Sequence, residues 1–433
     1  MSENISKPKT LKNAKIIKSA SKKYSADVII IGAGPAGSLA AALLRRDGYS
    51  VIIFEREKFP RFSIGESLLP QSMAFLEKAG VLPAIEKAGF QLKNGAAFQR
   101  GKQHSIIDFS NQFTMGWNTT FEVQRASFDQ LLSDHAAQCG ADVYFEHTVT
   151  SYEEDKKNEQ IVRLKGANAA GESYEAEGRF VLDASGYGRV LPRLLGLDKP
   201  SRFPARKALF THVKDNISHA DFDRKKILIT VHHAKHDIWY WLIPFSDGTS
   251  SIGVVGCGNE IDAFGTDDEA RLKALIQDDE HLRTILSHPE YIRNIGSIAG
   301  YACGVTQMYG KKYALLGNAG EFLDPVFSSG VTIALKSADL AAGLISRQFK
   351  GETIDWHKEY TDTLMVGVEA FRAFIQGWYE GTLQTVIFAQ PKDGGEIVRM
   401  ITSLLAGYAW DERNPFVKDG KRLLSLVAGG CAW

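Results

Sequence analysis

The sequence predicts an α/β fold of two lobes: a parallel-sheet lobe, an interleaved antiparallel sheet, and a helical C-terminal segment. Three observations predict it. An apolar strand at Asp27–Ile31 runs into a glycine turn and a small-residue helix, and the strand–turn form returns at Arg179–Gly186 and Tyr313–Gly320. From about Ser201 to Ile298 short alternating strands rich in aromatics take over, with one helix capped by Thr266-Asp267-Asp268-Glu269. From Thr353 to Trp433 the pattern is helical, with an apolar stripe at Ile397, Ile401, Leu404 and Leu405.

The opening turn has the form G-x-G-x-x-G: Gly32-Ala33-Gly34-Pro35-Ala36-Gly37. Gly32 permits the tight bend, Gly34 lets the backbone approach a pyrophosphate, and Gly37 lets helix and strand pack closely. Ala36 lies in the same turn, where the helix N-terminus presents free N–H groups. A second strand, Val51–Phe54, ends in Glu55, 18 residues past Gly37, about where a carboxylate accepts from a ribose hydroxyl. The stretch therefore reads as a dinucleotide site. It is the sole such fingerprint in the chain, so no second nicotinamide site is expected. The later turns, Asp183–Gly186 and Gly317–Gly320, favour FAD, because a long ligand needs contacts along its length.

The remaining elements follow in order. Met1–Ser25 is polar, carries seven lysines before residue 27, and reads as a mobile tail. Lys58–Pro70 is too rich in proline and glycine to be regular, and a helix from Gln71 to Ala79 stops at Gly80. Phe90–Phe98 reads as one strand. Ser127-Phe128-Asp129-Gln130 reads as a capping box that starts a helix ending at Gly140, followed by the strand Asp142–Phe145. Glu321–Gly330 reads as a loop before a helix over Val331–Arg347. The expected organisation is a tail (1–25), a main module (26–350) with the interleaved sheet at about 200–300, and a helical segment (351–433).

Composition narrows the partners. Lysine and arginine number 51 and aspartate and glutamate 51, which gives no support for nucleic acid or an anionic membrane as partner. No apolar run approaches the ~18 residues that span a bilayer. Cys139, Cys257, Cys303 and Cys431 are far apart and form no C-x-x-C pair, which fits a reducing cytoplasm and neither structural zinc nor disulfides. His232, His233 and His236 have no acidic or cysteine neighbour in sequence, so no metal is expected.

Two further stretches bear chemistry. In Trp239-Tyr240-Trp241-Leu242-Ile243-Pro244 the strand alternation puts both indoles on one face, as a rigid wall or as an aromatic core strand. In Phe322–Gly330 the helix that follows leaves the N–H groups of Ser329, Gly330 and Val331 free for a small anion, a reading compatible with simple capping by Ser328 or Ser329.

With these motifs the chain resembles the flavin-dependent halogenases. The matches are Gly32–Gly37, the W-x-W-x-I-P of Trp239–Pro244, the F-x-x-P-x-x-S-x-G of Phe322–Gly330, and the flavin-strap region Gly65-Glu66-Ser67-Leu68-Leu69-Pro70. The resemblance implies a glutathione-reductase-like FAD fold. It also implies a reaction in which reduced FAD and O₂ turn chloride or bromide into hypohalous acid, with the halide near Ser329 and Gly330. The acid then reaches Lys93, the position matching the family lysine, while Trp239 and Trp241 hold the substrate away from the flavin. Lys93 would act either as an ammonium that polarises the acid or, with its pKa lowered by burial, as an amine that forms a haloamine. Arg125 matches an arginine that contacts FAD in the wider superfamily. A flavin reductase is the implied partner and source of reduced FAD.

Two departures shape the reading. Members acting on tryptophan carry an acidic residue where this chain has Phe327, so the chain resembles the branch acting on phenols or pyrroles, free or tethered to a carrier protein. Asn318 stands where related flavoproteins place an aspartate, which lowers the expected flavin affinity. Two alternatives remain at this point: an FAD-dependent aromatic hydroxylase oxidising NAD(P)H, and a flavin-binding protein without halogenating activity.

Overall fold

A computed structural model describes residues 21–219, 222–389 and 395–430. Most of the expected N-terminal tail and Cys431 lie outside them. The tail's end is ordered: Lys22–Ser25 is a strand running parallel to Ser173–Gly178.

Five parallel strands form the first sheet in the order Tyr313–Leu315, Phe180–Asp183, Val28–Ile31, Val51–Phe54, Asp142–Tyr144. Parallel strands must be covered on both faces, and every residue of Val28–Ile31 and Val51–Phe54 is buried. Alternation divides them. Val28 and Ile30 join the core under the helices Pro35–Arg46 and Ser329–Phe349, while Ile29 and Ile31 pack with Tyr24, Leu164 and Ala176. Those last residues belong to a four-stranded sheet on the opposite face. Each isoleucine so buried contributes about 1.5–3 kcal/mol.

The second lobe is an eight-stranded sheet, antiparallel except where Lys226–Val231 runs parallel to Gly95–Arg100. Trp239–Pro244 is buried along its whole length at the centre. Its faces differ: Trp239, Trp241 and Ile243 look into the main core, Tyr240 and Leu242 into a second core under the helix Asp268–Asp278. Trp241 fits because its cross-strand partner is Gly253, where an added Cβ would lie 2.2 Å from the indole ring. The C-terminal helices, Thr363–Tyr379 foremost, close the main core through Phe371, Phe374 and Trp378.

Several local expectations change. Phe90–Phe98 is two strands, not one. Gln91–Lys93 pairs with Thr120–Glu122 in a separate ladder, and after Asn94 the chain enters the eight-stranded sheet as Gly95–Arg100. Asn94 makes the switch with its N–H on Lys225, its carbonyl accepting from Phe109, and its side chain accepting from Lys226. The helix expected to start at the Ser127 box starts at Arg125, and no side chain caps it. Its first turn is held instead by Arg125, whose guanidinium clasps Asp129 one turn on. Three helices, not one, interrupt the aromatic sheet: Gly258–Asp262, Asp268–Asp278 and Glu280–Ile285. Ile397 is exposed, and the buried stripe is Val398, Ile401, Leu404 and Leu405. The helix at Gln71–Ala79 ends at Gly80 in the left-handed conformation, as the sequence predicts.

Gly253→Val should drive a side chain into the Trp241 ring. Overpacking of this kind costs about 1–3 kcal/mol, read as a lowered midpoint in thermal or denaturant unfolding.

Candidate active site

A cavity of about 710 Å³ runs between the parallel sheet and the aromatic sheet. At one end it meets the glycine turn. Gly32 sits at φ +99°, where an added Cβ would lie 2.6 Å from the Ala184 carbonyl, so only glycine allows this turn against the neighbouring strand. Gly34, Pro35 and Ala36 line the cavity. Gly37 does not; an added Cβ there would meet the Gly32 carbonyl at 2.0 Å, which is the close packing the motif requires. Glu55 lines the cavity, 6% exposed, with Oε2 accepting from the Ala33 N–H at 2.8 Å and Oε1 from the Glu57 N–H at 3.0 Å. Two backbone bonds thus fix a carboxylate beside the turn with lone pairs to spare.

Arg61 is a cavity residue that the motifs do not reveal. Its guanidinium nitrogen approaches to 3.7 Å of a Cβ built on Gly34, and it is bonded to the buried Asp129 at 2.9 Å. A cation at that point complements a pyrophosphate. Its signal in the sequence was weak, a lone arginine in a proline-rich loop. Arg125 also lines the cavity, but its Nε and Nη2 are committed to Asp129 and its Nη1 to the carbonyls of Ile64 and Gly65. It orients the strap Gly65-Glu66-Ser67, whose three residues face the cavity. Asp183 does not line the cavity. Its carboxylate accepts from the Ser185 and Leu191 N–H groups and shapes the turn, and Ala184, Ser185 and Gly186 are the residues exposed to the cavity.

At the other end lies the Phe322–Gly330 stretch. Pro325–Phe327 is a single 3₁₀ turn, and Ser328, at φ +57°, turns the chain into the helix Ser329–Phe349, which starts two residues before the expected Val331. The N–H groups of Ser329, Gly330 and Val331 are therefore the first three of a 21-residue helix and have no intrahelical acceptor. Ser328, Gly330, Val331 and Asn318 line the cavity, and Ser329 is buried behind them. Phe327 is buried outside the cavity, edge-on to Trp378 and Phe374.

The two indoles form one wall. Trp239 and Trp241 both line the cavity, with ring centroids 5.9 Å apart and planes inclined by 47°. Trp241 Nε1 donates to Ser251 and Trp239 Nε1 to the Tyr379 hydroxyl, each at 3.0 Å. Tyr379 and Tyr301 both donate to Asp324, at 2.9 and 3.0 Å. The wall is thereby tied to the Phe322–Gly330 stretch and to the C-terminal helix.

Lys93 is buried, 1% exposed, and does not line the cavity. Its Nζ donates to Ser67 Oγ at 2.6 Å and to the Leu68 carbonyl at 2.9 Å, and it lies 5.5 Å from the centre of the Phe109 ring. Ser67 does line the cavity, so the lysine sits one hydroxyl behind it. Burial pulls the Lys93 pKa down to about 8, with the carboxylate of Glu122 opposing the fall. Burial also pushes Glu122 up to about 7, against the pull of Lys93 and Ser67. Of the two forms expected for Lys93, both now belong to a buried side chain.

Asp278, distant in sequence, brings the histidines the acidic neighbour that their own stretch lacks. His232, His233 and Asp278 converge, but His232 Nδ1 accepts from the N–H groups of Ala234 and Lys235. Its proton then sits on Nε2, the atom 3.1 Å from Asp278, which leaves no lone pair for a metal.

The glycine turn, the anchored Glu55, the Arg61 cation, the strap and the second helix N-terminus line one cavity and together fit FAD. A family model described as an FAD binding domain matches residues 25–330. A chlorinase of 1H-pyrrole-2-carbonyl bound to a peptidyl carrier protein, from Pseudomonas fluorescens, is 30% identical over 395 residues, 84% of this chain and 86% of that one. The chain belongs to the flavin-dependent halogenases. A brominase of the same carrier-bound group from Pseudoalteromonas luteoviolacea is 29% identical over 419 residues, covering 94% and 92% of the two chains. In structure the chain is similar to a flavoprotein/dehydrogenase from Cytophaga hutchinsonii, with a TM-score of 0.90 and 43% identity over 94% of this chain and 98% of that one. FAD, a halide and O₂ are what an enzyme of this family uses.

Replacing Glu55 with Ala removes a charged acceptor from the FAD site. A hydrogen bond to a charged group is worth about 1.5–3 kcal/mol, so FAD should bind about 10- to 100-fold more weakly in a fluorescence titration, with the fold checked by circular dichroism.

Proposed function

We propose that the enzyme places chlorine or bromine on an electron-rich aromatic ring, a phenol or a pyrrole, by way of Lys93. The observation that carries this is the buried lysine held by Ser67, the strap residue that faces the cavity. Reduced FAD bound in the cavity supplies hypohalous acid from O₂ and halide. The residues of the chain do the rest. The free N–H groups of Ser329, Gly330 and Val331 hold the halide. Trp239 and Trp241 close the cavity toward the substrate side, so the ring does not reach the flavin and is not hydroxylated. Lys93 donates to the oxygen of the hypohalous acid. As the ring carbon takes the halogen, the oxygen leaves as water with a proton from Lys93, and the ring proton replaces it. The balance is ArH + HOX → ArX + H₂O.

A carrier-tethered pyrrole is the reading the two carrier-dependent relatives favour. Phe327 suits an electron-rich ring that needs no acidic partner: it offers no carboxylate, and it packs on Trp378 where an acidic side chain would have to be desolvated. A separate flavin reductase supplies the reduced FAD, since the chain has a single dinucleotide fingerprint. Among the described residues no helix is long and apolar enough to cross a membrane. Cys139, Cys257 and Cys303 are unpaired, which suits a reducing cytoplasm. A second reading, direct dehydrogenation, has the 43% identical flavoprotein/dehydrogenase in its favour. It assigns no role to Lys93 and needs a hydride donor or acceptor that the chain has no second fingerprint to hold.

One incubation separates the two. Enzyme, FAD, a flavin reductase, NADH, O₂ and bromide, with phenols and pyrroles both free and carrier-bound, should give a product with the bromine isotope doublet in mass spectrometry. Lys93→Ala should lower the doublet at least about 100-fold while reduced flavin is still oxidised; removing one donor aimed at a reacting oxygen costs that much. Flavin reduction by NADH with no reductase present, and no doublet, would favour dehydrogenation.

A further inference from the structure

The ladder that carries Lys93 holds a second ionisable group that the proposed reaction leaves unused. Lys93 stands opposite Thr120, and Glu122 opposite Gln91. Residues two apart on a strand share a face, so Lys93 and Glu122 are diagonal neighbours on the same face of the ladder. Ser67 bridges to Glu122 from the other side, which brings Ser67, Lys93, Thr120 and Glu122 together, all buried. By distance and angle neither carboxylate oxygen of Glu122 nor the Thr120 hydroxyl has a close hydrogen-bond partner, and besides Lys93 only the Ser67 hydroxyl pulls on the carboxylate. A carboxylate so poorly hydrogen-bonded in so dry a place is stabilised chiefly by a nearby cation.

The lysine shows the complementary deficit. An ammonium has three N–H donors. Two of them are used, on Ser67 and on the Leu68 carbonyl. For the third no acceptor is found among the described residues.

Resting on the assignment of Lys93 as the halogen relay, we propose that Glu122 is a positioning residue that keeps Lys93 in its ammonium form, so that the third N–H can donate to the oxygen of hypohalous acid. Without the carboxylate the buried ammonium has no compensating charge, and the lysine loses its proton at lower pH. The charged and titratable groups around the pair are few. Glu66 on the strap adds to the negative field at Glu122, and it is itself bonded to His212 of the strand Arg206–Lys214 at 2.6 Å. The sign follows: halogen transfer requires the ammonium, so it is present below the lysine pKa and lost as pH rises through it.

The test is single-turnover bromination with chemically reduced FAD, scored as brominated product per flavin oxidised, from pH 6 to pH 10. That ratio removes the pH dependence of the flavin step. Glu122→Gln should move the alkaline limb down by at least one pH unit and lower the ratio at pH 8 at least about fivefold. Glu122→Asp, whose carboxylate stands one methylene further back, should move the limb the same way by less. It also keeps the test alive if Glu122→Gln does not fold. FAD binding measured in parallel establishes that each variant is intact. An unmoved limb, a limb moved upward, or a ratio that rises at pH 8 because the amine is the active form would each overturn the role of Glu122. Lys93→Ala brominating at the wild-type ratio would instead overturn the relay on which it rests.

Discussion

Lys93 is a charge that the fold holds out of water, and several neighbouring elements are arranged around that constraint. An isolated ammonium in an apolar interior costs several kcal/mol. The molecule meets the cost with a hydroxyl, a carbonyl and a carboxylate drawn from two segments distant in sequence. The strap contributes Ser67 and Leu68, and the strand Thr120–Glu122 contributes Glu122. The sheet switch at Asn94 is what makes this possible. Had Phe90–Phe98 stayed one strand, Lys93 would belong to the aromatic sheet and not to the small ladder against the strap.

The same side of the molecule is closed by the C-terminal helices. The Ser403 hydroxyl accepts from the N–H groups of both Phe113 and Thr114, and the Thr114 hydroxyl donates to Asp411. Tyr408 donates to the Trp117 carbonyl, and Gly116 has no side chain because the Tyr408 ring fills that space. The segment after Phe109 is thus pinned by side chains about 290 residues away. On the cavity side, Asp324 joins Tyr301 and Tyr379, and Tyr379 in turn fixes Trp239. The guanidinium of Arg206 lies 3.4 Å over the Tyr379 ring and balances that buried carboxylate. The indole wall of the cavity is therefore a hydrogen-bonded assembly as well as two bulky rings.

Much of this was legible in the sequence where a backbone conformation forces a residue type. Gly32 and Gly80 were readable because only glycine tolerates their positive φ without strain, and the alternation of Trp239 and Trp241 because a strand has period two. What escaped depends on contacts between distant segments. Nothing near Asn94 signals a change of sheet; its three partners come from residues 109, 225 and 226. The Ser127 box yielded to Arg125 because a buried guanidinium–carboxylate clasp outweighs a cap worth about 1 kcal/mol. Arg61 and Glu122 belong to no motif, and their roles arise from what the fold sets beside them. Asp183 looked like a ligand contact, yet its carboxylate is used up in shaping its own turn.

The central claim is that the environment, and not the lysine's intrinsic chemistry, sets the charge state of Lys93. It is tested most directly by following the ¹⁵N resonance of the Lys93 side chain through a pH titration of the lysine-labelled protein, with Lys93→Ala identifying the signal. The structure predicts a midpoint of about 8. A midpoint at or above ~10, the value of a solvated lysine, would contradict it.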